Sequence, residues 1–291
     1  MTAEHDGDGQ RITSFERAGL VFDVTDQGPL GGDVVLLLHG FPQTARCWDR
    51  LAPLLHAAGF RTLAPDQRGY SPRARPRGRF AYRLTALVED ALALVESVAL
   101  AGRKVHVVGH DWGASVAWSI AAARPDVVAT VTALSVPHPA AFMWTLFTSR
   151  QFLMSWYMFA FQIPYLPELF IRWMNRRARP QLIAGLVAGG QSEANAIRDA
   201  DFLAHSGALT PALNWYRAMM LNPPKRLAKV AVPTLFVASD SDAALSRTGA
   251  ERTHRFVTGP YIFHTLTGIG HWIPEQVPQE VAGFLRAHLI R

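Results

Sequence analysis

The sequence predicts an α/β fold, a mostly parallel sheet flanked by helices, with a helical segment inserted late in the chain. Three observations lead there. Two continuous apolar runs, Val34–Leu38 and 105–108, suit strands buried on both faces. Strand and helix signals alternate through short connections as far as Ser135. The alternation stops from Ala140 to about Pro224, where the chain turns aromatic and Met-rich, and resumes at Pro233.

In chain order, a polar tail precedes a strand over 20–24 and a turn at Gly31-Gly32. Val34–Leu38 runs directly into His39-Gly40-Phe41-Pro42, and a helix is expected over 45–58. A short strand over 61–64 leads to Asp66. Leu84, Leu87, Val88, Ala91, Leu92, Val95 and Val98 then recur at three- and four-residue steps, the mark of a helix, which Gly102 stops. The strand 105–108 meets Gly109, and a helix over 114–124 ends at Pro125. Further strands are expected at 127–135, 233–238 and Tyr261–Leu266, with a closing amphipathic helix over 278–290. No internal repeat or low-complexity tract interrupts this order.

Composition narrows the function. With 291 residues and 49% hydrophobic content, the chain can bury about 75% of its unfolded surface and needs no covalent staples. One cysteine, Cys47, excludes an intrachain disulfide framework and a Cys-based zinc cluster. The net charge of +6 is carried almost wholly by arginine. The densest basic group, Arg73, Arg75, Arg77 and Arg79, lies among prolines and a glycine. It reads as a solvated loop, and no nucleic-acid partner is expected. The acidic, polar first ten residues do not resemble a signal peptide. The longest uncharged run, 151–167, is broken by Gln162, Pro164 and Pro167, so no stable membrane insertion is expected. A soluble, cytoplasmic protein is the expectation.

The sharpest local signal is Gly109-His110-Asp111-Trp112-Gly113 between a strand and a helix. Glycines two before and two after a central residue permit the strained turn of a nucleophile elbow. Its usual serine is replaced by Asp111. A helix start favours an ionised carboxylate. Attack by that carboxylate on an ester would give an anhydride. Attack on a saturated carbon bearing a leaving group gives an ordinary ester that water can hydrolyse. The chemistry therefore points to epoxides or alkyl halides. The ester needs an oxyanion hole, for which the Phe41 and Trp112 N–H groups are candidates, and a base. That base is sought in Gly268-Ile269-Gly270-His271-Trp272, after the last strand. The supporting acid is Asp240 or Asp242 in Ser239-Asp240-Ser241-Asp242, with Asp242, deeper in the loop, preferred. His39, His110 and His138 read as structural.

Together with Ser135-Val136-Pro137-His138-Pro139, these strings resemble the α/β-hydrolase-fold epoxide hydrolases over nearly the whole chain. Two further segments extend the resemblance: Ser155-Trp156-Tyr157 before Phe161-Gln162-Ile163-Pro164, and Leu213-Asn214-Trp215-Tyr216-Arg217. Asp66-Gln67-Arg68-Gly69-Tyr70 also matches a turn of that family and is given a structural role. The resemblance implies a core of residues 1–138 and 226–291 with a helical cap at 139–225. It implies Asp111 as nucleophile, His271 as base, Asp242 as its acid, and Tyr157 and Tyr216 binding and protonating the epoxide oxygen. Phe41, Trp112, Tyr157 and Tyr216 would also contact substrate. No cofactor or metal is implied; the partner is a small apolar epoxide, and a monomer and a homodimer both remain open.

Two rival enzymes share the aspartate. A haloalkane dehalogenase typically carries asparagine after the His-Gly pair, where this chain has Phe41. A fluoroacetate dehalogenase carries arginine after the nucleophile, where this chain has Trp112. A rival of another class is a non-catalytic small-molecule-binding member of the fold, which a complete nucleophile, acid and base set argues against.

Overall fold

The computed structural model describes residues 4–6, 11–98, 102–221 and 228–290. Among the described residues nine strands form one sheet: β1 (Glu4–Asp6), β2 (Arg11–Arg17), β3 (Leu20–Gln27), β4 (Val34–Leu38), β5 (Arg61–Pro65), β6 (Val105–His110), β7 (Val128–Leu134), β8 (Thr234–Ser239) and β9 (Tyr261–Leu266). Their spatial order is β1-β2-β3-β5-β4-β6-β7-β8-β9. The pairs from β1 to β5 through β2 and β3 are antiparallel, and every later pair is parallel.

β4 shows why its run is apolar throughout. Val34, Leu36 and Leu38 face one core cluster while Val35 and Leu37 face another, all within 2% of full burial. Side chains alternate across a strand, so a strand covered on both faces carries no polar positions. On one face α2 (Leu84–Ser97) and α3 (Trp112–Ala123) supply Leu87, Leu94, Trp118 and Ile120; on the other, α1 (Ala52–His56) supplies Leu55.

Among the described residues between β7 and β8 lie seven helices and no strand: α4 (Pro139–Thr148), α5 (Gln151–Met154), α6 (Trp156–Ala160), α7 (Leu166–Arg177), α8 (Arg179–Ala188), α9 (Glu193–His205) and α10 (Leu209–Met219). The expected boundary at 225/226 falls outside the described residues. After β8 come α11 (Arg247–Arg252), α12 (Ile273–Gln276) and α13 (Pro278–Leu289), the last placing Leu285 and Leu289 beside Leu55. Among the described residues no helix is long and apolar enough to cross a membrane.

Two expectations are corrected. Part of the expected polar tail is strand: Ile12 and Phe15 of β2 are buried, and Phe15 stacks on Phe22 of β3 at 4.7 Å. A buried Asp26 accepting from the Ile12 N–H and paired with Arg61 lets this polar-looking segment join the sheet. The helix expected over 45–58 is a 3₁₀ turn, Ala45–Trp48, followed by the short α1. Pro53 is the reason. Inside one long helix it would lack an N–H for the carbonyl four residues earlier; near the start of α1 that donor is not needed.

Candidate active site

Asp111 sits at the junction of β6 and α3 with φ 53°, a conformation that costs a non-glycine residue of order 1–2 kcal/mol. Close packing enforces it. A Cβ at Gly113 would lie 2.0 Å from the Leu38 carbonyl oxygen, one at Gly109 2.2 Å from the Gly113 oxygen, and one at Gly40 2.3 Å from Asp111 Oδ1. All three positions therefore require glycine, and the carboxylate is pressed against the loop after β4.

There Asp111 Oδ1 accepts the Phe41 N–H at 2.8 Å, and the Trp112 N–H also supports the carboxylate. Both N–H groups singled out as oxyanion donors thus meet the Asp111 carboxylate. The other oxygen, Oδ2, lies 3.4 Å from His271 Nε2. On its far side His271 Nδ1 donates to Asp242 Oδ2 at 2.8 Å. Asp242 is buried, its Oδ1 accepting from Ala244 N and Leu245 N at 2.8 and 3.2 Å. Asp240 is exposed and spent on the Gly268 N–H and the Ser241 hydroxyl. The structure thus joins Asp111, His271 and Asp242 in one line and leaves Asp240 out.

The electrostatics follow from that line. Burial alone would push both aspartates up, but His271 holds the carboxyls of Asp111 and Asp242 below the usual range. Burial pulls the His271 imidazole down, and the carboxylates of Asp242 and Asp111 outweigh it, raising it to about 10.

Tyr157 and Tyr216 approach from the inserted helices. Their rings are 5.9 Å apart; Tyr216 meets Phe41 and Trp112 edge-on at 5.3 and 5.2 Å. The Tyr216 side chain is within hydrogen-bonding reach of Tyr157, and the Trp112 indole is engaged with Tyr216. Burial first, then the negative charge of Asp111 for Tyr157 and the Tyr157 phenol for Tyr216, push both phenols above their ordinary value and keep them protonated donors. The two segments are tied together: Gln162 Nε2 donates to the Tyr216 carbonyl at 2.9 Å and Arg217 Nε to the Phe161 carbonyl at 2.9 Å. Arg217 also forms a bidentate, buried pair with Glu168 at 2.7 and 2.8 Å.

The remaining motif residues hold the frame. His39 receives the Gln67 N–H and bonds the Gly40 carbonyl. The Arg68 carbonyl accepts the Trp215 indole N–H at 2.8 Å, anchoring the residue next to Tyr216. His138 caps α4 and stacks on Phe256 at 4.9 Å. One feature was not visible in the sequence. His110 Nε2 and Ser135 Oγ both donate to the His271 carbonyl at 2.8 Å, from the ends of β6 and β7. Ser135 takes φ 68° to do so. Nothing in the sequence pairs residues 136 and 161 positions from their acceptor. Among the described residues no group of three His, Cys, Asp or Glu side chains is arranged to hold a metal ion.

A strained acid on a strand-to-helix turn, backed by two N–H groups and a His-Asp pair on a parallel sheet, defines a class of fold and site. The chain belongs to the alpha/beta hydrolase family, whose pattern its residues 35–284 match. It is 34% identical to Epoxide hydrolase 2 of Caenorhabditis elegans, over 88% of this chain and 73% of the nematode protein. Epoxide hydrolase A of Mycobacterium tuberculosis is also 34% identical, over 92% of this chain and 93% of its own length. The crystal structure of Epoxide Hydrolase A from Mycobacterium thermoresistibile superposes with a TM-score of 0.77 at 29% identity, covering 95% of this chain and 97% of that one.

Proposed function

We propose that the protein hydrolyses epoxides to vicinal diols through a covalent ester on Asp111. The observation that carries the proposal is an aspartate at the elbow whose site also holds a buried Tyr216 and a half-buried Tyr157. Asp111 Oδ2 attacks a ring carbon, the ring C–O bond breaks, and the departing oxygen takes a proton from Tyr157 or Tyr216. A ring-opened alkoxide is strongly basic and needs that proton; a departing halide does not. Oδ1 stays on the Phe41 N–H throughout.

Alkylation also changes His271. The ester carries no charge, so one of the two carboxylates raising the imidazole is lost, and His271 moves toward the range of a base. It gives its proton up to the tyrosinate left by ring opening and then takes one from water as the oxygen adds to the ester carbonyl. The oxyanion forms on Oδ1, where the Phe41 N–H already points, and collapse expels the diol oxygen, which takes the hydroxyl proton of the intermediate, and restores Asp111. Asp242 orients His271 and stabilises its charge.

The helices of residues 139–225 act as a cap that supplies the tyrosines, and residues 1–138 and 226–291 form the catalytic core. The substrate is a small apolar epoxide, because the rings of Phe41, Phe161, Trp112 and Tyr216 pack on one another at the site. We also propose cytoplasmic residence, in which Cys47, a buried free thiol, stays reduced. The test is a single turnover in ¹⁸O-water with enzyme in excess over an aryl epoxide. Label is expected in the Asp111 carboxylate; label only in the diol would mean direct water attack and would remove Asp111 as nucleophile.

A further inference from the structure

We infer that the outer face of α5, α6 and α7 docks on an anionic lipid bilayer surface. On α7, Leu166, Leu169, Phe170 and Trp173 recur at helical spacing and point outward, Leu169 at 61% and Trp173 at 53% exposure, while Pro167 and Glu168 are buried. On α6, Trp156 is 67% exposed beside Tyr157. The exposed rings touch across elements, Phe152 of α5 lying 5.2 Å from Phe159 of α6. Scattered exposed apolar residues are ordinary, but a stripe of large ones along successive helices marks a contact surface.

Charge selects the occupant. Between residues 139 and 188 the sole acid is Glu168, which is buried against Arg217. Arg150, Arg172, Arg176 and Arg177 have no ion pair among the described residues, and Arg176 and Arg177 close the C-terminal end of the α7 stripe. A second copy of this face would bring no acid to meet those cations. An anionic headgroup layer does, and the acyl boundary beneath it accepts leucine and phenylalanine while tryptophan and tyrosine sit at headgroup depth. The contact is peripheral, with the helices lying in the interface. α6 also carries Tyr157 to the site, so the docked layer is one helix away from the reacting groups, and an apolar epoxide dissolved in lipid would enter through it. That last step rests on the epoxide reading; the docking does not.

The test is flotation of the full chain with vesicles of phosphatidylcholine alone or mixed with phosphatidylglycerol, which reads binding without turnover. Capture by the mixed vesicles, weakened by salt, is the expected result. Arg176→Gln with Arg177→Gln should weaken partition about thirtyfold. Leu169→Ser with Trp173→Ser should abolish it, with circular dichroism unchanged because all four side chains lie on the surface. No capture by mixed vesicles at low salt overturns the inference, as does capture that neither pair of changes reduces. A concentration-dependent dimer in sedimentation velocity that the Leu169→Ser, Trp173→Ser pair dissolves also overturns it, because a second copy would then cover the face.

Discussion

Each catalytic role proposed here rests on what a single side chain touches, so each can be removed singly. Replacing His271 with Gln leaves Asp111 able to attack but removes the base. The ester should accumulate, and intact mass should rise by one substrate; steady turnover would assign the base elsewhere. Asp242→Asn should cost far more activity than Asp240→Asn, because Asp242 is buried on His271 Nδ1 whereas Asp240 faces solvent. Tyr157→Phe and Tyr216→Phe should each slow alkylation, and the double change should nearly abolish it, general-acid help being worth about 10²- to 10⁴-fold. Asp111→Asn tests the electrostatics directly. With one neighbouring carboxylate gone, the His271 imidazole should titrate below its parent value in an NMR titration. An unchanged value would show that Asp242 alone sets it.

At the scale of elements, the site depends on strand ends and helix ties. The nucleophile elbow, the His271 loop and the Asp242 loop follow β6, β9 and β8, so the parallel sheet delivers them to one edge. Two donors at the ends of β6 and β7 then fix the His271 backbone. His110→Phe and Ser135→Ala each remove one neutral hydrogen bond, worth about 0.5–1.5 kcal/mol. Each should slow ester hydrolysis by about two- to tenfold, with the ester building up in a quench and KM little changed. If alkylation slows instead, the clamp acts on Asp111 and not on His271. The Arg217–Glu168 pair ties the two tyrosine segments. Glu168→Gln leaves a buried guanidinium without its counter-charge and should lower unfolding free energy by about 3–5 kcal/mol.

For the whole molecule, buried histidines set the acid limb of stability. Burial lowers the imidazoles of His39, His106, His110 and His138, the last two to about 4. Between that value and the ordinary 6.5 the unfolded chain binds protons that the folded chain refuses, so stability rises with pH across the window and falls on acidification. Glu275, raised by burial to about 7, works in the opposite direction and offsets part of the slope. His271 is different. Its raised value makes its contribution full below the unfolded pKa and lost as pH rises toward about 10. The midpoint of thermal unfolding should therefore drop from pH 7 to pH 5. His138→Phe, which can keep the stack on Phe256, should recover roughly 2 kcal/mol of the loss at pH 5. A variant with the parent slope would show that His138 is not among the groups responsible.

Much of the alternation of strands and helices was legible in one dimension: apolar runs marked strands covered on both faces, and the loss of alternation marked the helical insertion. It also exposed Asp111, because glycines two residues either side of an acid are a local requirement of a tight turn. Local signals of this kind survive in one dimension. What depends on distant partners appears only in the folded chain. Asp242 and Asp240 are two residues apart and chemically identical; depth in the loop favours Asp242, and the approach of His271 puts it, not Asp240, on the imidazole. β2 looks like a polar tail until Asp26, Arg61 and Phe22 arrive to satisfy and cover it. His110 and Ser135 acquire a role only because the sheet brings two strand ends to one carbonyl. Burial and pairing at a distance are properties of the folded chain, and no spacing along the sequence encodes them separately.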